Sequence, residues 1–559
     1  MSPRESNDSL SKTLKIVALG GLGEIGMNCM CLEWDDALVL IDCGIQFPGS
    51  LFPGADMLTP DMRYLMERRK KFKGVVVTHG HDDHIGAIPF LSERMPVTVY
   101  TPPFAKGLLK NKMSEVPASK GVEYVDYDAG KPFTVGPFTF HPIPVSHSII
   151  DSHAFAIETP VGTLIHTGDF KHDPTELING KSFSFDEFEK WGKKGVRLLM
   201  SDSTNAERLG HTISEEDIAG SFESIFQQQN SRILIACFAS NIRRLENLFR
   251  VAARMKKKVA LLGRSMHSYT RLAHELSKMN IPADTLILVE NTGLYQDKDV
   301  IVLATGSQAE PQSGLVRVAH GEHKDFKVKP GDQIYLSSRF IPGNERNIAA
   351  MIDQLYRAGA EVTYEAFHSI HVSGHGFQEE LLMMLGSCRP EFFVPLHGEY
   401  RHLSKHAKLA KTSGVKPQNV FVIENGQSVE LDAKGMRLGE KFDIEKGVVV
   451  DGFSMETSAT LFSKRIQLAK TGIVFVTVLR DRKTHDLVSR PSIVPYGLLY
   501  KEGENEDDCV EDAKYWVEDA YEDILEKDDS LDALRIEMRR FWRKRVSHKP
   551  VVIPLILDV

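Results

Sequence analysis

Four candidate metal ligands fall within six residues of this chain, directly after an apolar run of three valines at residues 75–77. They are His79, His81, Asp83 and His84. An apolar run of this kind indicates a buried strand, so the four side chains should emerge together at the carboxyl edge of a sheet, where α/β proteins form their sites. Imidazole and carboxylate ligands suit zinc, and the pattern supplies enough of them for two ions. The alternative is a polar histidine loop that binds no metal.

Length and composition narrow what surrounds this cluster. A chain of 559 residues exceeds one usual hydrophobic core, so two to four domains are expected. The polar amino terminus, and the lack of any run of about eighteen apolar residues, predict a soluble cytoplasmic protein without a membrane segment. A formal net charge of −8 gives no general support to nucleic-acid binding and leaves only a local basic channel open. The six scattered cysteines indicate reduced structural thiols.

A glycine motif near the start resembles a nucleotide-binding fingerprint but lacks its context. Residues 21–26 (Gly-Leu-Gly-Glu-Ile-Gly) satisfy G-x-G-x-x-G after a strand-like run at 15–19. The fingerprint requires a helix next, whereas residues 28–34 alternate like another strand. The motif therefore predicts a tight strand connection near the metal site.

The cluster at residues 79–84 resembles the signature of the metallo-β-lactamase superfamily. That resemblance implies a later histidine, a bridging aspartate and a last histidine, and each is present at a strand-like edge, as His147, Asp169 and His397. By the resemblance, one zinc is held by His79, His81 and His147, a second by Asp83, His84 and His397, and Asp169 bridges the two ions. Two zinc ions per subunit are thus expected, with Mn²⁺ or Mg²⁺ as alternative activating ions.

A second pattern interrupts the first. Residues 12–205 are strand-rich with interspersed helices, whereas residues 214–360 alternate between strands and helices as doubly wound domains do. The last ligand, His397, follows this segment, so the segment must be inserted into the first domain. Such an insertion resembles the beta-CASP branch of nucleic-acid nucleases. Asp202 matches the first motif of that branch, His375 the second and His397 the third, and a histidine at the third position is typical of RNA processing.

Simpler readings of two of these residues stay open. Asp202 could be a turn or N-cap acid, and His375 a satisfied loop histidine.

Further segments resemble the ribonuclease J family across almost the whole chain, including residues 18–26, 238–242, 371–375, 395–401 and 489–500. The resemblance implies a zinc-dependent ribonuclease of RNA maturation and mRNA decay, a 5′ to 3′ exonuclease favouring 5′-monophosphate RNA with added endonuclease activity. It implies His375 as general acid, oriented by Asp202, with Asp83 as a proton shuttle. The residues expected to contact single-stranded RNA are Ser240, Asn241, Ile242, Ser338, Arg339, His371, Val372, Ser373, Gly374 and His375.

The expected fold class is α/β, a metallo-β-lactamase αβ/βα sandwich with an inserted doubly wound beta-CASP domain and a small α+β carboxyl-terminal domain. The expected boundaries are 1–213 and 366–450 for the sandwich, 214–365 for the insertion, 451–470 for a linker and 471–559 for the last domain. Apolar stripes in that last domain permit the homodimer or homotetramer that the resemblance implies, and RNA-degradation complexes are the expected partners.

One departure from the family concerns calcium. Phe47 and Pro48 are followed by Gly-Ser-Leu at 49–51, without the acidic residues that often hold a structural Ca²⁺ in the family, so these positions do not support a calcium site.

Three alternatives use the same ligands. A small-molecule hydrolase would not need the insertion or the motifs at Asp202 and His375. A DNA-processing enzyme is disfavoured by His397. A non-catalytic RNA-binding scaffold would be expected to have lost ligands, and all seven are present.

Overall fold

The computed structural model describes residues 13–49, 51–116, 119–175, 177–178, 181–338, 340, 344–364, 370–455, 459–527 and 529–559. The chain divides into two compact units, residues 1–47 with 56–455, and residues 48–55 with 456–559. Within the described ranges, no helix has the length and apolar composition needed to cross a membrane.

The first stretch of the larger unit is rich in strands. Its strands are β1 (Leu14–Gly20), β2 (Leu22–Gly23), β3 (Cys29–Trp34), β4 (Ala37–Ile41), β5 (Met57–Thr59), β6 (Phe72–Val76), β7 (Val97–Thr101), β8 (Val122–Asp126), β9 (Phe133–Val135), β10 (Phe138–Pro144), β11 (His153–Thr159), β12 (Gly162–His166), β13 (Leu177–Ile178), β14 (Lys181–Ser182) and β15 (Val196–Asp202). Its helices are α1 (Arg63–Glu67), α2 (Asp82–Ile85), α3 (Ile88–Arg94), α4 (Pro103–Glu115) and α5 (Asp186–Lys194).

The next stretch alternates strands with helices. It comprises α6 (Glu215–Gln228), β16 (Ile233–Ala236), α7 (Ile242–Arg254), β17 (Lys258–Leu262), α8 (Arg264–Glu275), β18 (Leu286–Ile287), 3₁₀ turns at Val289–Leu294 and Asp297–Asp299, β19 (Val300–Ala304), α9 (Gly314–Ala319), β20 (Gln333–Leu336), α10 (Glu345–Arg357) and β21 (Glu361–Thr363). The strands pair in parallel in the order β18-β17-β19-β16-β20-β21. The central strand β19 is buried along its whole length, as parallel strands covered by helices on both faces are.

The chain then returns to the first domain. The returning elements are α11 (Gln378–Cys388), β22 (Phe392–Leu396), β23 (Gly398–Glu399), α12 (Tyr400–Thr412), a 3₁₀ turn at Pro417–Asn419, β24 (Gln427–Leu431), β25 (Met436–Lys441), β26 (Gly447–Val450) and β27 (Phe453–Met455). Strand β22 lies parallel to β15, although the whole insertion separates the two in sequence. The inserted domain therefore leaves and re-enters the sandwich between two neighbouring strands.

Two sheets form the sandwich. One has the order β25-β24-β1-β3-β4-β6-β7-β8, and the other has the order β22-β15-β12-β11-β10-β9. Apolar side chains of both sheets share one buried cluster, for example Ile41 and Val76 from the first with Phe155 and Met200 from the second. Helices α3 and α4 pack on the outer face of the first sheet, and α5, α11 and α12 pack on that of the second. This layered order is the predicted αβ/βα sandwich with an inserted doubly wound domain.

The glycine motif at residues 21–26 lies in the connection between β1 and β3, which pair antiparallel. Strand β3 follows it, so the local fold agrees with a strand connection and not with a dinucleotide fingerprint, which requires a helix there.

The smaller unit is an α+β module. It contains α13 (Ala459–Thr471), β28 (Ile473–Arg480), β29 (Ser492–Tyr496), α14 (Glu506–Asp519), α15 (Tyr521–Leu525), α16 (Ser530–Arg545) and β30 (Val551–Asp558). Its sheet has the order β29-β28-β30, with β30 parallel and β29 antiparallel to β28. Helix α13 covers residues 459–470 of the expected linker and ends one residue beyond it.

Candidate metal centre and catalytic site

The predicted ligands follow the carboxyl ends of strands in both sheets. His79 comes after β6, His147 after β10, Asp169 after β12 and His397 after β22. Asp83 and His84 lie on the short helix α2 that follows His81. Because these strand ends meet at one rim of the sandwich, seven side chains from four separate segments of the chain come together there.

One group of ligands consists of three histidines. The Nδ1 atom of His81 lies 3.0 Å from Nε2 of His79 and 3.1 Å from Nε2 of His147. Burial lowers the pKa of His79 and His147 well below the usual range, and it lowers the pKa of His81 to about 4. Three neutral rings thus direct nitrogen atoms at one another.

The second group contains Asp83, His84, Asp169 and His397. Asp169 Oδ2 lies 3.1 Å from His84 Nε2, and Asp169 Oδ1 lies 2.9 Å from His397 Nδ1. Asp83 Oδ2 lies 3.4 Å from His397 Nε2. Asp169 Oδ2 is also 3.8 Å from Nε2 of both His79 and His147. Its carboxylate therefore stands between the two groups, where a bridging ligand would be.

The donor set fits divalent metal ions. Imidazole nitrogens and carboxylate oxygens are the usual ligands of zinc, and each group supplies at least three of them within 4.8 Å of one another. The buried Nε2 atom of His397 has no hydrogen-bond partner among the described residues. Burial opposes a charge on His397, but Asp169 and Asp83 outweigh it and raise its pKa to about 10. The site thus favours positive charge beside its carboxylates.

The outer nitrogen of each ring in the first group has a partner that sets its tautomer. His79 Nδ1 lies 3.0 Å from Thr78 Oγ1, His147 Nδ1 lies 2.6 Å from the carbonyl oxygen of Gly374, and His81 Nε2 lies 3.1 Å from Ser240 Oγ. Such outer contacts leave the opposite nitrogen unprotonated for a metal.

Sequence reasoning missed two residues of this kind. Asp42 accepts from His84 Nδ1 at 2.7 Å and from Thr78 Oγ1 at 2.8 Å, so it orients a ligand in the second group. The sequence signal that could have revealed Asp42 is its position directly after β4, because β4 pairs with β6, the strand that leads to His79. Asn28 places its side-chain nitrogen 3.0 Å from His84 Nε2, and its backbone N–H donates to the Asp83 carbonyl at 2.8 Å. Asn28 follows the glycine motif, and nothing in that motif indicates a contact with a candidate metal ligand.

Close packing explains one glycine at the rim. A Cβ atom at Gly44 would lie 1.7 Å from the backbone oxygen of Asp83. The chain after β4 can therefore pass the metal-ligand helix only without a side chain.

His375 and Asp202 form a pair beside the second group. His375 Nδ1 lies 2.8 Å from Asp202 Oδ2, while the other carboxylate oxygen of Asp202 accepts from the N–H and the hydroxyl of Thr204 at 3.0 and 2.8 Å. Burial would lower the pKa of His375, but the carboxylates of Asp202 and Asp169 raise it overall. The arrangement holds the ring by its Nδ1 atom and favours its positively charged form.

The predicted RNA contacts at residues 240–242 take up separate positions. Ser240 contacts His81, one of the candidate metal ligands, as described above. Asn241 is the N-cap of α7; its Oδ1 accepts from Arg244 N at 3.2 Å and its Nδ2 donates to Glu215 Oε1 at 3.0 Å. Ile242 is buried at the start of that helix. The side chain of Asn241 is thus already engaged within the protein.

The remaining predicted contacts lie on two segments. His371 Nδ1 is 3.4 Å from Arg244 Nη1, and burial together with that arginine lowers its pKa to about 3. Ser373 Oγ accepts from His375 N at 3.1 Å, which shapes the segment that contains the buried Val372 and Gly374. Ser338 is buried, and its Oγ accepts from Gln308 Nε2 at 2.9 Å. Arg339 lies outside the described residues.

Family models cover most of the chain. The matches are to a beta-lactamase superfamily domain at residues 38–186, to the beta-CASP domain of ribonuclease J at 230–355, to a zinc-dependent metallo-hydrolase RNA specificity domain at 359–422 and to a ribonuclease J carboxyl-terminal domain at 461–559.

Similar proteins extend over the full length. Ribonuclease J of Helicobacter pylori is 36% identical over 488 residues, covering 87% of this chain and 70% of that protein. Ribonuclease J2 of Bacillus subtilis is 32% identical over 553 residues, covering 98% and 99%. Ribonuclease J of Thermus thermophilus is 34% identical over 565 residues, covering 98% and 95%. A solved structure of a protein of unknown function from Enterococcus faecalis shares the fold, with a TM-score of 0.54 and 16% identity over 75% of this chain and 100% of that one.

The fold and its paired clusters of histidines and aspartates define a metallo-hydrolase of the metallo-β-lactamase class with an inserted beta-CASP domain. Within that class, the chain belongs to the ribonuclease J family. The family, fold class and enzyme class expected from the sequence, a hydrolase acting on RNA, are thereby confirmed.

Proposed function

We propose that the protein hydrolyses RNA phosphodiester bonds, as a 5′ to 3′ exonuclease that favours 5′-monophosphate RNA and also as an endonuclease, in RNA maturation and mRNA decay. The observation that carries this proposal is the His375–Asp202 pair beside the two ligand groups. The 3′ oxygen of a phosphodiester leaves as a basic alkoxide, so its departure is helped by a proton donor at the position of His375. A small-molecule hydrolase would not need the inserted domain or this pair.

The proposed metals are two zinc ions, with Mn²⁺ or Mg²⁺ as alternatives. His79, His81 and His147 would hold one, and Asp83, His84 and His397 the other, with Asp169 between them. Such ions, when bound, lower the pKa of water and neutralise charge on the attacked phosphate.

The protein side chains move the protons. Asp83, whose side chain is 30% exposed at the rim, is proposed to accept a proton as the water oxygen adds to phosphorus and to pass that proton to solvent. The bond from phosphorus to the 3′ oxygen breaks, and Nε2 of His375 protonates the departing oxygen. Asp202 holds the ring by its Nδ1 atom, so the proton is delivered from a fixed direction. The products are a 5′-phosphate and a 3′-hydroxyl.

The 5′ end of the RNA is proposed to bind at residues 240–242 and 371–375. Helix α7 has 13 residues and begins at Ile242, so its dipole favours a phosphate at that end of the helix. The same segment contacts His81, so a terminal phosphate bound there would lie close to the proposed metal ligands. A fixed distance between this pocket and the metals would produce stepwise removal of nucleotides, and Ser338 and Arg339 are proposed further contacts.

We propose the domain boundaries at residues 213/214, 365/366 and 450/451, with the carboxyl-terminal domain from 471, and a homodimer or homotetramer formed through that domain. One face of its sheet is apolar and exposed. Phe475, Ile553, Leu555 and Leu557 are each at least 40% exposed there, whereas Val474, Val476 and Val552 on the other face are buried under helices. Exposed apolar patches of this kind mark interaction sites.

A cytoplasmic location is part of the proposal. All six cysteines are unpaired and buried, which is usual in reducing compartments.

The test is degradation of 5′-labelled RNA that carries a monophosphate or a triphosphate, beside DNA of the same sequence, with His81→Ala as the control. We expect release of mononucleotides from the 5′ end of monophosphorylated RNA and no activity in the variant. Equal activity on DNA, or activity that survives His81→Ala, would overturn the proposal.

A further inference from the structure

His81 is held at both nitrogens, and the two contacts come from different domains. Its Nδ1 atom faces His79 and His147 at 3.0 and 3.1 Å, inside the first ligand group. Its Nε2 atom faces the hydroxyl oxygen of Ser240 at 3.1 Å, and Ser240 belongs to the inserted domain. Since a ligand nitrogen must be unprotonated, the ring proton has to sit on Nε2 and the Ser240 oxygen has to accept it.

For His79 and His84, the partner of the outer ring nitrogen comes from the first sheet itself. Thr78 contacts the outer nitrogen of His79, and Asp42 contacts that of His84, and both residues follow strands of the first sheet. For His81 the corresponding contact is supplied by a segment more than 150 residues further along the chain. The ring orientation of this one ligand is thus controlled by how the inserted domain sits on the sandwich.

Ser240 is held firmly enough to do this. Its carbonyl oxygen accepts from Ile242 N at 2.8 Å, and the next residue, Asn241, caps helix α7. The buried carboxylate of Glu215 accepts from Asn241 Nδ2 and from Arg244 Nη2, each at 3.0 Å. The start of α7 is therefore anchored by a buried ion pair, and the hydroxyl has a defined position.

We propose that Ser240 is a positioning residue of the metal centre, which fixes the tautomer and direction of His81 so that the inserted domain completes the first metal site. The inference rests on the metal centre proposed above, and it assigns Ser240 a role beyond the phosphate contact expected from the sequence. A serine hydroxyl can accept from His81 while donating its own hydrogen to a phosphate oxygen, so both roles are chemically compatible.

The test is a zinc titration of the full-length protein in competition with a chromophoric chelator, using zinc alone as the probe. Ser240→Ala should weaken binding of one of the two zinc ions by roughly 10- to 100-fold, the usual effect of removing an outer contact to a metal-ligating histidine. Ser240→Thr keeps the hydroxyl and should restore most of the affinity. Ser224→Ala, which removes a hydroxyl bonded to a helix carbonyl on the exposed face of α6, is the matched control and should bind zinc as the wild type does.

Measurements of kcat and KM for Ser240→Ala distinguish a residue that positions His81 from one that only contacts phosphate. If Ser240 positions His81, kcat of Ser240→Ala recovers as zinc approaches saturation. Unchanged zinc affinity in Ser240→Ala, with a raised KM for monophosphorylated RNA that persists at saturating zinc, would overturn the inference and leave Ser240 a substrate contact alone. If the wild type degrades no RNA, the proposed function fails, but the zinc titration still decides the role of Ser240.

Discussion

The Nδ1 atom of His375 lies 2.8 Å from Oδ2 of Asp202, although the inserted domain separates the two residues in the chain. Asp202 ends β15, the last strand before the insertion, and His375 lies on the segment that returns from it. The pair therefore forms only when both ends of the insertion are in place. This geometry ties the proton donor of the proposed reaction to the feature that distinguishes the chain from a plain metallo-β-lactamase sandwich.

Replacement of His375 by alanine should slow RNA cleavage far more than cleavage of an activated ester. General acid catalysis contributes about 10²- to 10⁴-fold, so kcat on RNA should fall by that factor. Thymidine 5′-(p-nitrophenyl) phosphate releases a weakly basic phenolate that needs no proton, so its hydrolysis should change little. Both substrates are measured with wild type, His375→Ala and Asp202→Asn. An equal loss on the two substrates would show that His375 does not act as the acid.

Replacement of a single proposed ligand should remove the metal ion that this ligand holds and leave the other in place. His147→Ala should lower the zinc content from two ions per chain to about one, since it removes a ligand of the first group alone. His397→Ala should have the same effect on the second group, and Asp169→Ala should weaken both. Metal content is read by mass spectrometry of dialysed protein. His141→Ala is the control, because this histidine lies on the strand that leads to His147 but pairs with Glu158 at the surface. Two ions retained in His147→Ala would contradict the assignment.

The ligand cluster and the architecture could be predicted from the sequence for definite physical reasons. His79 to His84 follow an apolar run, and strand periodicity places such residues at a sheet edge. The alternation of strands and helices after residue 214 predicted a parallel sheet, and the six parallel strands agree with it.

Other features depend on tertiary contacts that sequence patterns do not carry. Asp42 and Asn28 reach His84 through contacts between strands that no spacing rule predicts. From the sequence alone, the hydroxyl of Ser240 is interpreted as a donor to phosphate. Its contact with His81 forms only when the inserted domain is folded onto the sandwich. Helix α13 (Ala459–Thr471) overlaps residues 451–470, which the sequence indicates only as a linker, because no recognisable helix pattern marks that segment.

The buried ion pair at the start of α7 should matter far more for stability than its neighbour on the surface. Glu215 pairs with Arg244 in the interior, whereas the adjacent Glu216 pairs with the exposed Arg250. Glu215→Gln leaves a buried arginine uncompensated and should cost about 3–5 kcal/mol, while Glu216→Gln should cost at most about 1 kcal/mol. Thermal unfolding of both variants and wild type measures the difference, and equal midpoints would contradict the burial argument.

The same pair predicts a dependence on pH. Burial would raise the pKa of Glu215, but Arg244 and Lys171 lower it overall. A carboxyl whose folded pKa is depressed stabilises the fold above its unfolded pKa of about 4.3, and that stabilisation is lost as pH falls through the folded value. The difference in the free energy of unfolding between wild type and Glu215→Gln should therefore be constant from pH 8 to 6. It should become smaller as the pH falls below about 4. A gap that instead widened in acid would reverse the assigned sign.

The apolar sheet face of the carboxyl-terminal domain should hold copies of the chain together, so changing it should lower the mass of the particle in solution. Leu555 is 47% exposed at the centre of β30 on that face. A charged side chain there would be buried in the interface, so Leu555→Glu should shift the protein towards the single-chain mass of 62.7 kDa. Leu531→Glu is the matched control, because Leu531 is 43% exposed on helix α16 and lies off the sheet. Light scattering after gel filtration gives the masses. A mass unchanged by Leu555→Glu would mean that the copies associate through another surface, whereas a loss in both variants would point to general destabilisation of the domain.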